Sequence, residues 1–516
     1  MSAGSSTELL VAALRRELAG LAPGDRLPSS RDLITRHGVG PVTVARAIAE
    51  LAAEGIVVTR PGSGTFVAVR RARPDERAPD TSWQTVALAG RVHVPGTDPA
   101  VTVGGGIDPT ALPAGSICLA GGYLHESLQP TRALGAALVR AARRPDAWRR
   151  APVVGITPLR AVLAHRIGPG FGPEHVLVTG GGQAALSMLF RAIAVAGSPV
   201  LVESPTYPGA LAAARAAGLS PVPVPADGDG LRPDLLAEAF ATTGARLLYC
   251  QPTFHNPTGA VLAPGRRRQV VDIARAAGAF VIEDDFARDL GHGCPVPAPL
   301  VADDRDGTVV HLTSLTKPAS PSLRIGAVVA RGPVMGRLRG MREVDDSFVA
   351  RPLQEAAVEL LSTSAWDRHL DTLATALRER CAVLAGALAE HLPDWTPERL
   401  PDGGLHLWLR LPDRTPCVAV AEAARAHGVM VEAGRRYFPA EPPASHLRAG
   451  FAAAAEPEDL VEAVRRLSAA VAGRRRATGR AVAADGAVTA GGAVRNGAVR
   501  EDALGDGVLR DGGKTR

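Results

Sequence analysis

A chain of 516 residues, 46% hydrophobic and 21% charged, is too long for one small core and is expected to form about two to four domains. No run approaches the ~20 apolar residues of a membrane span, and the N-terminus MSAGSSTELL lacks a secretory leader's basic and apolar segments, so a cytoplasmic protein is expected. Five singly scattered cysteines without CxxC or metal-ligand spacing fit reduced thiols, and a net charge of +6 permits a nucleic-acid partner without requiring one.

Residues 7 to about 69 read as a compact helical unit ending in a hairpin. Ser29 and Asp32 have the spacing of a capping box that opens a short helix stopping near Gly38. Gly40 and Pro41 begin a second helix, proline taking the first position, where its missing N–H costs nothing. On that helix Val44, Ile48 and Leu51 are expected to point inward, and Thr43, Arg46, Ala47 and Glu50 outward. In GIVVTRPGSGTFVAV two β-rich runs flank Arg60, Pro61, Gly62, Ser63 and Gly64, a tip able to approach a phosphate backbone closely. The pattern predicts a winged helix-turn-helix whose second helix enters a major groove; a helical protein-docking domain is the alternative.

This unit closely resembles the winged helix-turn-helix of GntR-type bacterial regulators, whose LPSxRxL, TVxRAxxxL and EGxxxxRxGxGTFV elements recur over Leu27–Leu33, Thr43–Leu51 and Glu54–Val67. The resemblance implies double-stranded DNA as partner and Ser29, Arg31, Thr43, Arg46, Arg60 and Gly62 as contacts. Gly40 and Pro41 stand where the family usually has Ser-Arg, which implies shifted or weakened recognition.

Residues 70–112, rich in Pro, Gly, Asp and Arg, are expected to be a linker. From 113 to 472 short apolar runs such as HVLVT, SPVLVE, ARLLYC, AFVIED and GTVVHL alternate with helical stretches, which predicts an α/β domain with a mostly parallel sheet. Residues 473–516 have few large side chains and are expected to be disordered.

Within the large domain, VLVTGGGQAAL runs from a strand through a Gly-rich turn into a helix, whose first N–H groups can bind phosphate. Tyr207 can stack on a flat ring, and Asn256 can offer its amide to a phenolic oxygen. In AFVIEDDF a carboxylate among Glu283, Asp284 and Asp285 can keep a ring nitrogen protonated. Each feature has a purely structural reading: a turn, packing, a solvated strand end. Lys317 and Lys514 are the chain's two lysines. Arginine stays protonated, whereas a desolvated lysine becomes a nucleophile. Lys317 follows Ser314 by three residues and precedes Arg324 by seven, which sets an amine beside groups that hold phosphate. Pyridoxal phosphate presents a carbonyl and a phosphate to match.

In order and spacing these residues resemble fold-type I aminotransferases, and with the N-terminal unit they resemble the MocR subgroup of GntR regulators. That resemblance implies a smaller C-terminal α+β subdomain and a homodimer. It also implies pyridoxal phosphate bonded to Lys317, with Asp284 at the pyridine nitrogen, Asn256 at the phenolic oxygen and Tyr207 stacked. Gly181, Gly182, Gln183, Ser314 and Arg324 are implied around the phosphate, and Arg448 at an effector carboxylate. Gly404 and His406 match a family strand near the cofactor. Phe286 stands where the family usually has a tyrosine and donates nothing to the phenolic oxygen, so slowed transamination is expected. Gly182 replaces the usual Ala, Ser or Thr.

The expected function is a DNA-binding regulator that senses an amine, an amino acid or the cofactor. A working aminotransferase with an incidental DNA-binding domain is the rival reading, and a sensor of pyridoxal phosphate alone is a third.

Overall fold

In a computed structural model the chain divides into two compact units, residues 1–100 and 101–516. The structure describes residues 6–68, 113 and 115–491, with side chains through 474. The expected linker 70–112 and residues 492–516 lie outside the described residues.

The first unit contains α1 (Ser6–Leu18), α2 (Ser30–His37), α3 (Pro41–Ala53), β1 (Val57–Arg60) and β2 (Gly64–Val67). The capping box is present: the Ser29 hydroxyl accepts from the Asp32 N–H, while the Asp32 carboxylate accepts from Ser29. Gly38 ends α2 with φ +63°, the left-handed stop that glycine adopts without a Cβ penalty. Ala47 departs from expectation. It is fully buried with Val44 and Leu51, and Ile48 is only partly covered. Positions 44, 47 and 51 and positions 44, 48 and 51 fit the 3.6-residue period equally well, so packing decides between them, and alanine is small enough to seat α3 against its neighbours. The strands pair antiparallel with Arg60 opposite Gly64.

The second unit carries β3 (Ile117–Cys118), β4 (Val176–Thr179), β5 (Pro199–Ser204), β6 (Ser220–Asp227), β7 (Gly230–Leu231), β8 (Leu247–Cys250), β9 (Phe280–Asp284), β10 (Val309–Ser314) and β11 (Gly326–Val329). Toward the C-terminus follow β12 (Thr396–Pro397), β13 (His406–Arg410), β14 (Val429–Met430), β15 (Glu432–Ala433) and β16 (His446–Gly450). Eight strands form the main sheet in the order β4-β11-β10-β9-β8-β5-β6-β7. β10, β9, β8, β5 and β6 are mutually parallel, and β11 runs against both of its neighbours. Both faces are covered: Val178, Leu201, Leu248 and Val281 lie in one core, while Leu177, Val202, Leu247 and Ile282 lie in another. Burial on both faces is why these strands read as continuous apolar runs. A second, antiparallel sheet of β12-β13-β16-β15 builds the smaller subdomain with its own core.

The expectation of an unstructured tail from 473 differs from the structure over its first part. Helix Pro457–Gly491 continues into it, in a stretch whose alanine and arginine content favours helix. No helix among the described residues is long and apolar enough to cross a membrane.

Candidate functional site

The parallel strands end on one edge of the sheet, the edge at which α/β folds gather ligands. After β4, Gly181 caps the helix Gly182–Ile193 with φ 94° and ψ 171°, a region open essentially to glycine. A Cβ there would stand 2.9 Å from Arg324 Cζ, whereas one at Gly182 would meet nothing closer than Ser314 Cβ at 3.8 Å. Glycine is therefore required at 181 and not at 182. Arg324, itself at φ 50°, donates from Nη2 to the Gly180 carbonyl at 2.6 Å. Ser314 at the end of β10 lies 2.9 Å from the Thr316 hydroxyl and accepts from the Thr316 N–H at 3.2 Å. Helix N–H groups, two hydroxyls and a guanidinium thus lie close together, a donor set of the kind that can hold a dianion.

The three carboxylates of AFVIEDDF separate by strand alternation. Glu283, on the face of Val281, accepts from the Leu300 and Val301 N–H groups and lies 2.9 Å from His311 Nδ1. Asp285 pairs with Arg288. Asp284, on the face of Ile282, receives at Oδ2 the Tyr249 hydroxyl at 2.7 Å and the Gln251 amide at 3.1 Å. Burial pushes the Asp284 carboxyl up to about 6, against the pull of those two donors. Tyr249 and Gln251 went unnoticed in the sequence, where a tyrosine within an apolar run reads as packing.

Lys317 follows β10. Its Nζ donates to the Gly122 carbonyl at 2.6 Å and stands 3.8 Å from the Tyr123 ring centroid. Desolvation, then the positive charge of Arg448, brings its proton affinity down to about 7 from 10.5, although Asp284 pulls the other way. The amine is therefore largely unprotonated in mildly alkaline solution, the state a nucleophile requires.

Asn256 and Arg448 meet directly, Arg448 Nη1 donating to Asn256 Oδ1 at 3.1 Å. Arg448 Nη2 donates to the Ala120 carbonyl at 2.8 Å and lies 3.2 Å from Glu432 Oε1. Glu432 is a site residue that sequence reading missed, since only strand pairing brings it beside Arg448. Tyr207 turns its hydroxyl to Gln183 Oε1 at 3.1 Å, and Gln183 Nε2 donates to the Gly209 carbonyl at 3.0 Å. Burial, then Asp284, pushes the Tyr207 phenol up to about 12. His406 on β13 is buried and held well below the usual imidazole range by desolvation and then Arg448. Phe286 packs against the small subdomain's core.

In the first unit Ser29, Arg31, Arg46, Arg60 and Gly62 are exposed and Thr43 is half-covered. Arg60 Cζ lies 5.1 Å from the Phe66 ring centroid, which steadies the wing, and Gly62 sits at φ 76°. The Ser29 hydroxyl is engaged with Asp32 Oδ2 at 2.7 Å, so its first task is capping.

Residues 120–467 match the family described as aminotransferase class I and II, and residues 7–67 match the bacterial regulatory proteins of the gntR family. The chain belongs to the class I and II aminotransferase family, with a GntR-family domain ahead of it. It is 31% identical over 364 residues to the 2-aminoadipate transaminase of Thermus thermophilus, covering 70% of this chain and 91% of that one. It is 28% identical over 471 residues to the probable rhizopine catabolism regulatory protein MocR of Rhizobium meliloti, covering 89% and 92%. Among solved structures it is similar to LysN, the α-aminoadipate aminotransferase of Thermus thermophilus complexed with N-(5'-phosphopyridoxyl)-L-leucine. The TM-score is 0.66 at 30% identity, covering 70% of this chain and 93% of that one.

Family and fold together imply pyridoxal phosphate as the cofactor of this aminotransferase-like regulator. Its residues fit that group. The side-chain-free close approach at Gly181 leaves helix N–H groups and Arg324 available to a phosphate. Asp284 keeps its two protein donors on one oxygen, and the Lys317 amine is already depressed.

Proposed function

We propose that this protein is a DNA-binding transcription regulator whose winged helix engages a promoter and whose aminotransferase-like domain, with pyridoxal phosphate bonded through Lys317, detects a small amine. The observation that carries the reading is the depressed Lys317 amine, close enough to both Asp284 and Arg448 to feel their charge, in a chain that also carries a GntR domain.

When bound, the cofactor supplies an electrophilic carbon and an electron-withdrawing ring. The chain's own groups do the rest. Gly181, Gly182, Gln183, Ser314 and Arg324 would hold the phosphate, Tyr207 would cover the ring, and Asn256 would serve the phenolic oxygen. Asp284 would pair with the ring nitrogen, its carboxyl tuned by the Tyr249 and Gln251 donors. Lys317 would hold the cofactor's carbonyl carbon, and as a free amine it would be able to take up a proton. Arg448 orients the far end of the ligand. Ser29, Arg31, Thr43, Arg46, Arg60 and Gly62 form the DNA-facing surface, and a homodimer presents two such surfaces. A ligand changes DNA binding only by its differential affinity for two arrangements of that dimer.

A working aminotransferase is the second reading, favoured by the retention of Lys317, Asp284 and Arg448 in one site. Promoter-fragment binding by the full chain, with and without pyridoxal phosphate and a panel of amines, tests the regulator reading. Amine-dependent affinity for one specific sequence is expected. Equal, sequence-independent binding under every condition would reject it.

A further inference from the structure

Arg448 is expected, by resemblance, to receive a ligand carboxylate, yet the protein has supplied one of its own. On β16 it is paired in register with Trp408 on β13 and with Glu432 on β15, so the two opposite charges are cross-strand neighbours. Arg448 is 5% exposed, and its Nη2 lies 3.2 Å from Glu432 Oε1. Tyr437 fixes the acid: its hydroxyl donates to Glu432 Oε2, and its ring centroid lies 5.4 Å from Arg448 Cζ. Burial holds the Tyr437 phenol well above its ordinary range, so it remains a donor. Both Nη groups are engaged. Nε is buried and, among the described residues, has no hydrogen-bond partner.

The charge of Arg448 already has a partner in this chain. Arg448 balances Glu432, and His406 is neutral. A ligand carboxylate would have to share Arg448 with Glu432 in a desolvated site, where like charges repel, or displace Glu432 and strand it with Tyr437 alone. A neutral oxygen needs neither, because it can accept from the idle Nε–H. This inference rests on the reading that the domain detects an amine at Lys317. We propose that Glu432 makes the site select a primary amine carrying a neutral hydrogen-bond acceptor, such as an amino alcohol, over the corresponding α-amino acid.

Calorimetric titration of the full-length, cofactor-loaded protein with L-alaninol and L-alanine tests the preference. The wild type is expected to bind L-alaninol at least tenfold more tightly, about 1.4 kcal/mol. Glu432→Gln removes the charge while keeping an acceptor for Tyr437. It is expected to raise L-alanine affinity at least tenfold and to change L-alaninol less than about threefold. Glu432→Asp, which retains the charge, should keep the wild-type order and controls for folding. A parallel arm needs no cofactor: propionate should bind the cofactor-free Glu432→Gln protein and not the wild type. An L-alanine preference in the wild type, or an unchanged ratio in Glu432→Gln, would overturn the proposal. If neither amine binds any loaded variant, amine detection fails instead. The propionate arm still judges Glu432, and equal propionate binding by wild type and Glu432→Gln would overturn its role.

Discussion

Substituting alanine at Gly181 and, separately, at its neighbour Gly182 tests the phosphate cradle with two nearly identical changes of opposite expected outcome. At 181 the backbone sits at φ 94° and ψ 171°, which costs a residue with a Cβ about 1–3 kcal/mol. The new methyl would also approach Arg324 Cζ to 2.9 Å. Because the guanidinium is the mobile end of an exposed side chain, it can move away, at the expense of its 2.6 Å bond to the Gly180 carbonyl. A charge-assisted bond of this kind contributes roughly 1–2 kcal/mol after allowance for solvent. Together the loss is about 2–5 kcal/mol, divided between folding and cofactor binding, so pyridoxal phosphate affinity should fall about 10- to 100-fold. At 182 the nearest atom to the added methyl is 3.8 Å away, ordinary contact, and affinity should change less than about threefold. Absorbance titration of the cofactor-free protein gives both constants, and thermal melting gives the share lost to folding. Equal effects of the two substitutions would refute the assignment of Gly181 and Arg324 to the phosphate.

Cofactor loading should depend on the proton at Lys317. With its value at about 7, loading at pH 6 should be roughly tenfold slower than at pH 8, and a flat profile in stopped-flow absorbance would contradict this. The same shift bears on stability. Between about 7 and 10.5 the unfolded chain keeps a proton that the folded chain has released, so the Lys317 contribution rises with pH across that window, and the full penalty remains below it. Lys317→Met should flatten that part of the stability profile in urea titrations. Arg46→Ala should weaken promoter binding and lower the slope of log affinity against log salt by about 1. An unchanged slope in fluorescence anisotropy would remove Arg46 from the interface. Ser29→Ala should cost the α2 cap about 1 kcal/mol, read as faster amide exchange at Asp32, and unaltered exchange would argue against the capping role.

Much of this architecture is legible locally. The Ser29–Asp32 box, Gly38 and Pro41 act within one turn of chain, so residue type alone announces them. Ala47 is hidden from sequence reading because alanine carries little hydrophobic signal, and only the packing of α3 decides its side. The strands were visible because burial on both faces leaves unbroken apolar runs. AFVIEDDF displayed three acids without ranking them. The sheet ranks them, directing Asp284 toward Tyr249 and Gln251 while Glu283 turns to His311 and Asp285 to Arg288.

Residue type and spacing along the chain set out the chemistry available: a winged-helix pattern, a glycine turn feeding a helix, and one lysine between a serine and an arginine in the large domain. These signals survive because each depends on residues a few positions apart. The electrostatics of the site, by contrast, arise from the folding of distant segments against one another. Lys317 is depressed by burial among groups distant in sequence, Asp284 is raised while held by residues of β8 and its loop, and Arg448 meets Glu432 through the pairing of β15 with β16. Charge and desolvation act through space, and no spacing along the chain records which side chains will share a buried pocket.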